Sequence, residues 1–349
     1  MGDHDGQAAD QILDENLSRL AQTGPEFHGG LSNHGPMAAE ALVRLGRADQ
    51  VESWVGGYLG QLEEPPGTVT RITGETWPEA LGDYRRVGDW EQYLARQLDA
   101  EPWLDVLARW WPRLLPGLAA GATHGVIRTS HAARSLAATP SPERQAELAR
   151  ALAYWAASYL ELPGAPRTAG HLGIGAALAA LPVAPRVAEP GLITSRLTTA
   201  LSAEPEFPDA VSALRPPADV QADLLSLAVR FAGIFLAHGR ARPIAFLHAV
   251  TAPVAARSVL GLLPPELGRP SYDALWQVAA GLWVGYADGT VPEPLPAGPP
   301  PVRADLADRA VANGDEHAIK LTEACLRLHA ESPDPVLLHA AARACELLG

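Results

Sequence analysis

The chain has 349 residues, 47% hydrophobic and 19% charged, the balance of a soluble globular protein with a large core. A formal net charge of −13 excludes an electrostatic footprint for nucleic acid, and no polybasic cluster offers itself to an anionic membrane. Two cysteines, Cys325 and Cys345, provide no disulfide framework, so a reducing, cytoplasmic setting is expected.

The first residues, Met-Gly-Asp-His-Asp-Gly, are acidic and polar and do not read as a signal peptide; residues 1–8 are expected to form a disordered tail. Helical periodicity then dominates. Amphipathic helices are predicted over 9–21, 37–46 and 49–62, and longer ones over 101–120, 142–161 and 218–238. Further helices are predicted over 241–262, 270–287, 303–312, 316–330 and 334–348. Ala and Leu fill these stretches, in keeping with helix propensity. No sustained alternating run rich in Val, Ile and Thr marks a strand. The breakers are Glu-Glu-Pro-Pro-Gly (63–67), Leu-Pro-Gly-Ala-Pro (162–166), Arg-Pro-Pro (215–217) and the proline-rich segment 291–302. The last reads as a surface crossing, because the helices beyond it make a poor core alone. The longest apolar run, Leu224–Leu236, is interrupted by Arg230, so no membrane span is expected. No fixed-period repeat appears. The expectation is an all-α fold: one large multi-helix bundle with long Pro-rich connections, spanning 1–349 as a single domain.

Lysine occurs once, at Lys320, three residues after His317, a spacing that places both on one helix face. Gly314 and Asp315 look like a break followed by an N-cap. A neutral, desolvated lysine amine takes up carbon dioxide to give an anionic carbamate, whereas a bare ammonium in a core carries a penalty of several kcal/mol. The plainer reading has Lys320 reaching solvent or pairing with Glu316 or Glu323.

Of eleven histidines, four lie among small residues that let backbones approach closely: His34, His124, His248 and His317. Taken singly, each is more simply a hydrogen-bonded core residue; the case for a site needs them to meet in space. His124, Arg128 and His131 are spaced i, i+4, i+7 along one helical face. That face suits a metal, a substrate, or packing with Arg128 paired to a carboxylate.

Four stretches together resemble the questin oxidase-like family. They are Phe-His-Gly-Gly-Leu-Ser-Asn-His (27–34), Gly-Asp-Tyr-x4-Asp-Trp-x2-Tyr-Leu (82–94), Gly-Ala-x-His-Gly-Val-Ile-Arg-x2-His-Ala (121–132) and Gly-Asp-Glu-His-Ala-Ile-Lys (314–320), with His-Ala-Val-Thr (248–251) also fitting. Met37-Ala38 stands where many fungal members carry a His-His pair. The resemblance implies oxidative opening of an aromatic polyketide ring, chiefly of anthraquinones, at a mononuclear non-haem iron. It implies His34, His124, His248 and His317 as imidazole ligands, with His131 or His28 able to replace His248. It also implies Lys320, carboxylated by carbon dioxide, as the oxygen ligand, Fe(II) as the metal and dioxygen as cosubstrate. Arg128 and His131 are the expected catalytic residues, Arg128 holding a phenolate or quinone oxygen by a charge-assisted hydrogen bond. Asn33, Thr123, Glu316 and Thr251 are expected partners for the histidines. A flat apolar pocket is expected, with at most one or two of nine tryptophans in it; Trp276, Trp283 and Tyr286 share one helical stretch and read first as core packing.

Other readings remain open. A Baeyer–Villiger-type monooxygenase would use NADPH or flavin, but the only Gly-x-Gly, Gly173-Ile-Gly175, follows no strand and marks no dinucleotide fold. A two-metal hydrolase bridged by the carbamate needs a further carboxylate. A non-catalytic helical binding protein needs no metal at all. The sequence does not fix the oligomeric state.

Overall fold

The alanine- and leucine-rich segments, punctuated by proline, glycine and capping residues, form sixteen α-helices among the described residues. The structure, a computed structural model, describes residues 3–183, 191–287 and 291–349. In chain order the first eight helices are α1 (Asp3–Leu20), α2 (Gly35–Arg44), α3 (Val51–Leu59), α4 (Val87–Ala100), α5 (Trp103–Leu114), α6 (His124–Ala138), α7 (Pro142–Ala157) and α8 (Ile174–Ala180). They are followed by α9 (Ile193–Ser202), α10 (Phe207–Ser212), α11 (Val220–His238), α12 (Pro243–Leu260), α13 (Gly268–Tyr286), α14 (Arg303–Asn313), α15 (Glu316–Glu331) and α16 (Pro335–Leu347). The strands are a two-residue pair, β1 (Glu26–Phe27) and β2 (Leu31–Ser32), joined antiparallel. The all-α expectation is therefore met.

Local chemistry explains the boundaries. Asp219, Ser141, Asp315 and Asp334 each accept backbone N–H bonds at the start of α11, α7, α15 and α16, satisfying donors that have no partner within the helix. Gly314, at φ 80°, ends α14 in the left-handed conformation. The predicted helix over 101–120 is split: α5 ends at Leu114 and tightens into a 3-10 turn at Leu115–Gly117, where Pro116 has no N–H to continue the ladder. Helix α4 was not foreseen, although Val87, Trp90, Leu94 and Leu98 lie on its buried face. Helix α1 begins at Asp3, within the stretch 1–8 expected as a tail.

The principal core draws on helices from both sides of the proline-rich crossing, from Met37 through Trp90, Trp155 and Trp276 to Leu337. A smaller core joins α1, α2 and α3 to Ala310 of α14 and Ile319 of α15. Residues 291–302 run largely exposed over the surface, pinned where Glu293 N donates to Ala237 O at 2.8 Å. The buried tryptophans are structural: Trp90 Nε1 donates to Ala80 O, Trp111 to Ser271 Oγ and Trp276 to Val211 O, each at 2.9–3.0 Å. Helices α11 and α12 are long and apolar enough to cross a membrane by length and composition, but they pack on each other and on the bundle.

Candidate metal centre

Four segments distant in sequence deliver the cluster. The hairpin β1–β2 turns through His28, Gly29 and Gly30, all at positive φ, and hands the chain to Asn33 and His34. Asn33 fixes that exit: its Nδ2 donates to Gly24 O at 2.8 Å and its Oδ1 accepts from Gly35 N at 2.9 Å. His34 N donates to Tyr58 Oη at 2.8 Å, and His34 immediately precedes α2.

His124 is the first residue of α6 and follows three successive left-handed residues, Gly121, Ala122 and Thr123, at φ 50°, 56° and 75°. For Ala and Thr this conformation costs about 1 kcal/mol or more each, held in place by surrounding packing. The bend brings Gly121 O to 2.5 Å from His124 Nδ1. A carbonyl only accepts, so Nδ1 carries the proton and Nε2 presents a bare lone pair. Glycine is required here for a further reason: a Cβ on Gly121 would lie 2.5 Å from Tyr154 Oη.

His317 is the second residue of α15, behind the Asp315 cap, which accepts from His317 N at 2.8 Å and Ala318 N at 3.0 Å. Lys320 follows one turn later, and His248 lies in the second turn of α12. The imidazoles meet. His124 Nε2 lies 2.7 Å from His34 Nε2 and 3.1 Å from His248 Nε2. The His34 and His317 rings are 4.4 Å apart between centroids, and His248 and His317 5.6 Å. One ring nitrogen from each of His34, His124 and His317 falls within 4.8 Å of the others. All four rings and Lys320 are buried.

The electrostatics are those of a cavity that resists added protons. Burial first, then the Lys320 charge, push His34 and His124 well below the usual imidazole range; burial, then His124, His317 and Lys320, do the same to His248. Burial lowers Lys320 to about 7, against the opposing pull of Glu316 and Asp315. Among the described residues its Nζ has no hydrogen-bond partner, and neither have the Nδ1 atoms of His34, His248 and His317. Glu316 Oε1 stands 3.4 Å from His34 Nδ1 and 3.6 Å from His317 Nδ1. Of the four expected partners only Glu316 is paired with the imidazoles: Asn33 bonds Gly24 O, Gly35 N and Thr23 Oγ1, Thr251 bonds Leu247 O, and Thr123 Oγ1 has no partner among the described residues. The starts of α2, α6 and α15 converge here, and their positive poles favour neutral imidazole and an anion beside it.

The donor set fits a cation. Two nitrogens bound at right angles at about 2.1 Å lie about 3 Å apart, close to the two Nε2 separations above. Without a cation, the single lone pair of His124 Nε2 faces two other ring nitrogens and satisfies at most one of them well. A carbamate on Lys320 would add the oxygen donor and remove an unpartnered buried amine.

A cavity of about 320 Å³ opens beside the imidazoles, its apolar wall formed by Phe27, Leu31, Leu192, Ile193 and Ile244. It adjoins an outer cavity of about 460 Å³, with Gly30, Gly121, Leu192 and Thr194 common to both. No tryptophan lines either cavity among the described residues; Trp276 lies in the core and Trp283 packs against it, in keeping with their reading as core residues.

The structure also corrects the catalytic pair. Arg128 and His131 share the His124 face of α6, but the helix rise carries them about 6 and 10 Å along the axis, toward α2 and α7. Arg128 is held by Glu147, Nε to Oε1 at 2.6 Å and Nη2 to Oε2 at 2.9 Å, both side chains buried. His131 Nδ1 bonds Glu40 Oε2 at 2.9 Å, within a network that Arg134 extends to Glu323. Neither borders the cavity. His28 sits exposed on the hairpin turn, so neither it nor His131 replaces His248. Sequence reasoning missed Glu26, Ser32 and Tyr154, which border or connect the two cavities. The available signals were faint: an acid before a Gly-Gly turn, and a hydroxyl in the Ala-rich run of α7. No protein-family profile and no curated protein matches the sequence.

Proposed function

We propose that the protein is an oxidoreductase: a mononuclear non-haem iron oxygenase that opens a ring of a hydroxylated aromatic polyketide of the anthraquinone kind, in the cytoplasm. One observation carries this reading, the convergence of His34, His124, His248 and His317 beside a buried, unpartnered Lys320. It agrees with the resemblance to the questin oxidase-like family carried by those same residues. The four imidazoles and carboxylated Lys320 would hold iron(II) with a position left for a ligand. Iron, when bound, supplies a means for triplet dioxygen to react with an electron-rich ring carbon.

The chain's own residues do the rest. Phe27, Leu31, Leu192, Ile193 and Ile244 form an apolar slot that suits a flat ring and excludes water. Gly121 O holds the His124 tautomer. The converging helix starts stabilise a phenolate oxygen near the imidazoles. Lys320, largely neutral once the pH exceeds about 7, can take up carbon dioxide: the amine nitrogen bonds carbon, and one proton leaves to solvent.

The experiment is oxygen uptake with a hydroxyanthraquinone, using protein purified without chelator. Near-stoichiometric iron and uptake without added reductant are expected, both oxygen atoms then entering the product. Uptake only with NADPH would instead mean monooxygenation, since the second oxygen atom needs two electrons to leave as water. Absence of a transition metal, or equal uptake after metal removal, contradicts the proposal.

A further inference from the structure

A hydrogen-bonded chain runs from the inner cavity to the outer one. Ser32, on β2, borders the inner cavity; Glu26, its cross-strand partner on β1, borders the outer one. Tyr154 of α7, buried behind Gly121, joins them: its Oη is 2.6 Å from Ser32 Oγ and donates to Glu26 Oε1 at 3.1 Å. Because the Tyr154 hydrogen is committed to Glu26, Ser32 donates to the Tyr154 oxygen. The Ser32 oxygen is thereby left free to accept from the inner cavity. The direction is uniform along the chain, and burial relaxes along it: Ser32 and Tyr154 are buried, and Glu26 is partly exposed.

We propose that Ser32, Tyr154 and Glu26 form a proton relay that ionises a hydroxyl of an aromatic substrate in the His-lined cavity and discharges the proton to the outer cavity. The inference deepens the oxygenase reading and rests on its placement of substrate. The balance is simple. The substrate O–H breaks as its proton bonds Ser32 Oγ; the Ser32 proton passes to Tyr154 Oη; the Tyr154 proton passes to Glu26; Glu26 releases one proton to water. No electron changes hands. The substrate remains as phenolate, the electron-rich form in which its ring carbons react most readily. Burial, opposed by hydrogen bonds from Tyr154 and Tyr84 and assisted by Glu63, raises the Glu26 carboxyl above its ordinary range and makes it a better acceptor. The Gly121 backbone serves both devices, its carbonyl orienting His124 and its missing Cβ admitting the Tyr154 hydroxyl.

The test uses 4-nitrocatechol, whose ionisation changes its absorbance, mixed rapidly with the protein as purified while metal content is measured on the same sample. In wild type, ionisation of the bound probe should be fast and slower in D2O. Glu26→Gln and Tyr154→Phe should each slow it about tenfold or more, the scale of general acid–base effects, with probe affinity and metal content held. Formate or imidazole buffer should restore the rate in Glu26→Gln, an effect no structural role for Glu26 produces. Wild-type rates in both variants, or a wild-type protein that leaves the probe un-ionised, would overturn the relay. The two proposals separate cleanly. Metal-free protein with a Glu26-dependent, isotope-sensitive rate removes the oxygenase and keeps the relay; iron-loaded protein with unaffected rates does the reverse.

Discussion

His124→Ala protein should retain less than about a tenth of the wild-type iron, because His124 is the ring that both His34 and His248 face. Its Nε2 lies 2.7 and 3.1 Å from the matching atoms of His34 and His248, and its tautomer is fixed by Gly121 O. Loss of a group that merely orients a ligand lowers metal affinity about 10–100-fold; loss of the central ligand should exceed that. Chelator competition with metal analysis reads the effect, and circular dichroism checks that the helices persist. His131→Ala, on the same face of α6 but bonded to Glu40, should keep its iron. Equal iron in wild type and His124→Ala would remove this cluster as the binding site.

Lys320→Met should produce effects of opposite sign in the metal-free and metal-loaded proteins. In the metal-free protein the amine is buried without a partner among the described residues, and burial lowers it to about 7 from an ordinary 10.5. A cationic group whose folded pKa is depressed leaves the unfolded chain binding more protons between those two values, so stability rises with pH across that window. Below pH 7 the penalty is fully present, of order 5 kcal/mol at 1.36 kcal/mol per pKa unit. Chelator-treated Lys320→Met should therefore be several kcal/mol more stable than wild type at pH 6, the gain fading by about pH 10.5. In the metal-loaded protein the same substitution removes the carbamate oxygen and should lower iron affinity at least 100-fold, beyond the loss expected for a group that only orients a ligand. Acetate should partly restore iron to Lys320→Ala by occupying the vacated space. Denaturant melts at both pH values, with and without chelator, read all of this. Unchanged iron together with unchanged metal-free stability would end the role given to Lys320.

The helical architecture was legible because its causes are local. Asp219, Asp315 and Asp334 announce helix starts, and Gly314 announces an end. The four histidines were legible as candidates because small neighbours surround each one. Their meeting was not, since it depends on how the starts of α2, α6 and α15 pack around α12. Arg128 and His131 show the limit of spacing arguments. Periodicity places them on the His124 face correctly, but says nothing of Glu147 and Glu40, which come from other helices and claim both side chains. The left-handed bend at Gly121–Thr123 was equally hidden, because Ala122 and Thr123 carry no signal for positive φ. The Glu26–Tyr154–Ser32 chain joins the β1–β2 hairpin to α7 across more than 120 positions, beyond any periodic reading.

The most direct measurement is anomalous diffraction at the iron edge from crystals of protein purified without chelator, with the electron density read at Lys320 Nζ. A single peak within coordination distance of His34, His124, His248 and His317, with carbamate density continuing from Lys320 toward it, is the result this account predicts. Four histidines holding no anomalous scatterer, with a bare amine at Lys320, would contradict it.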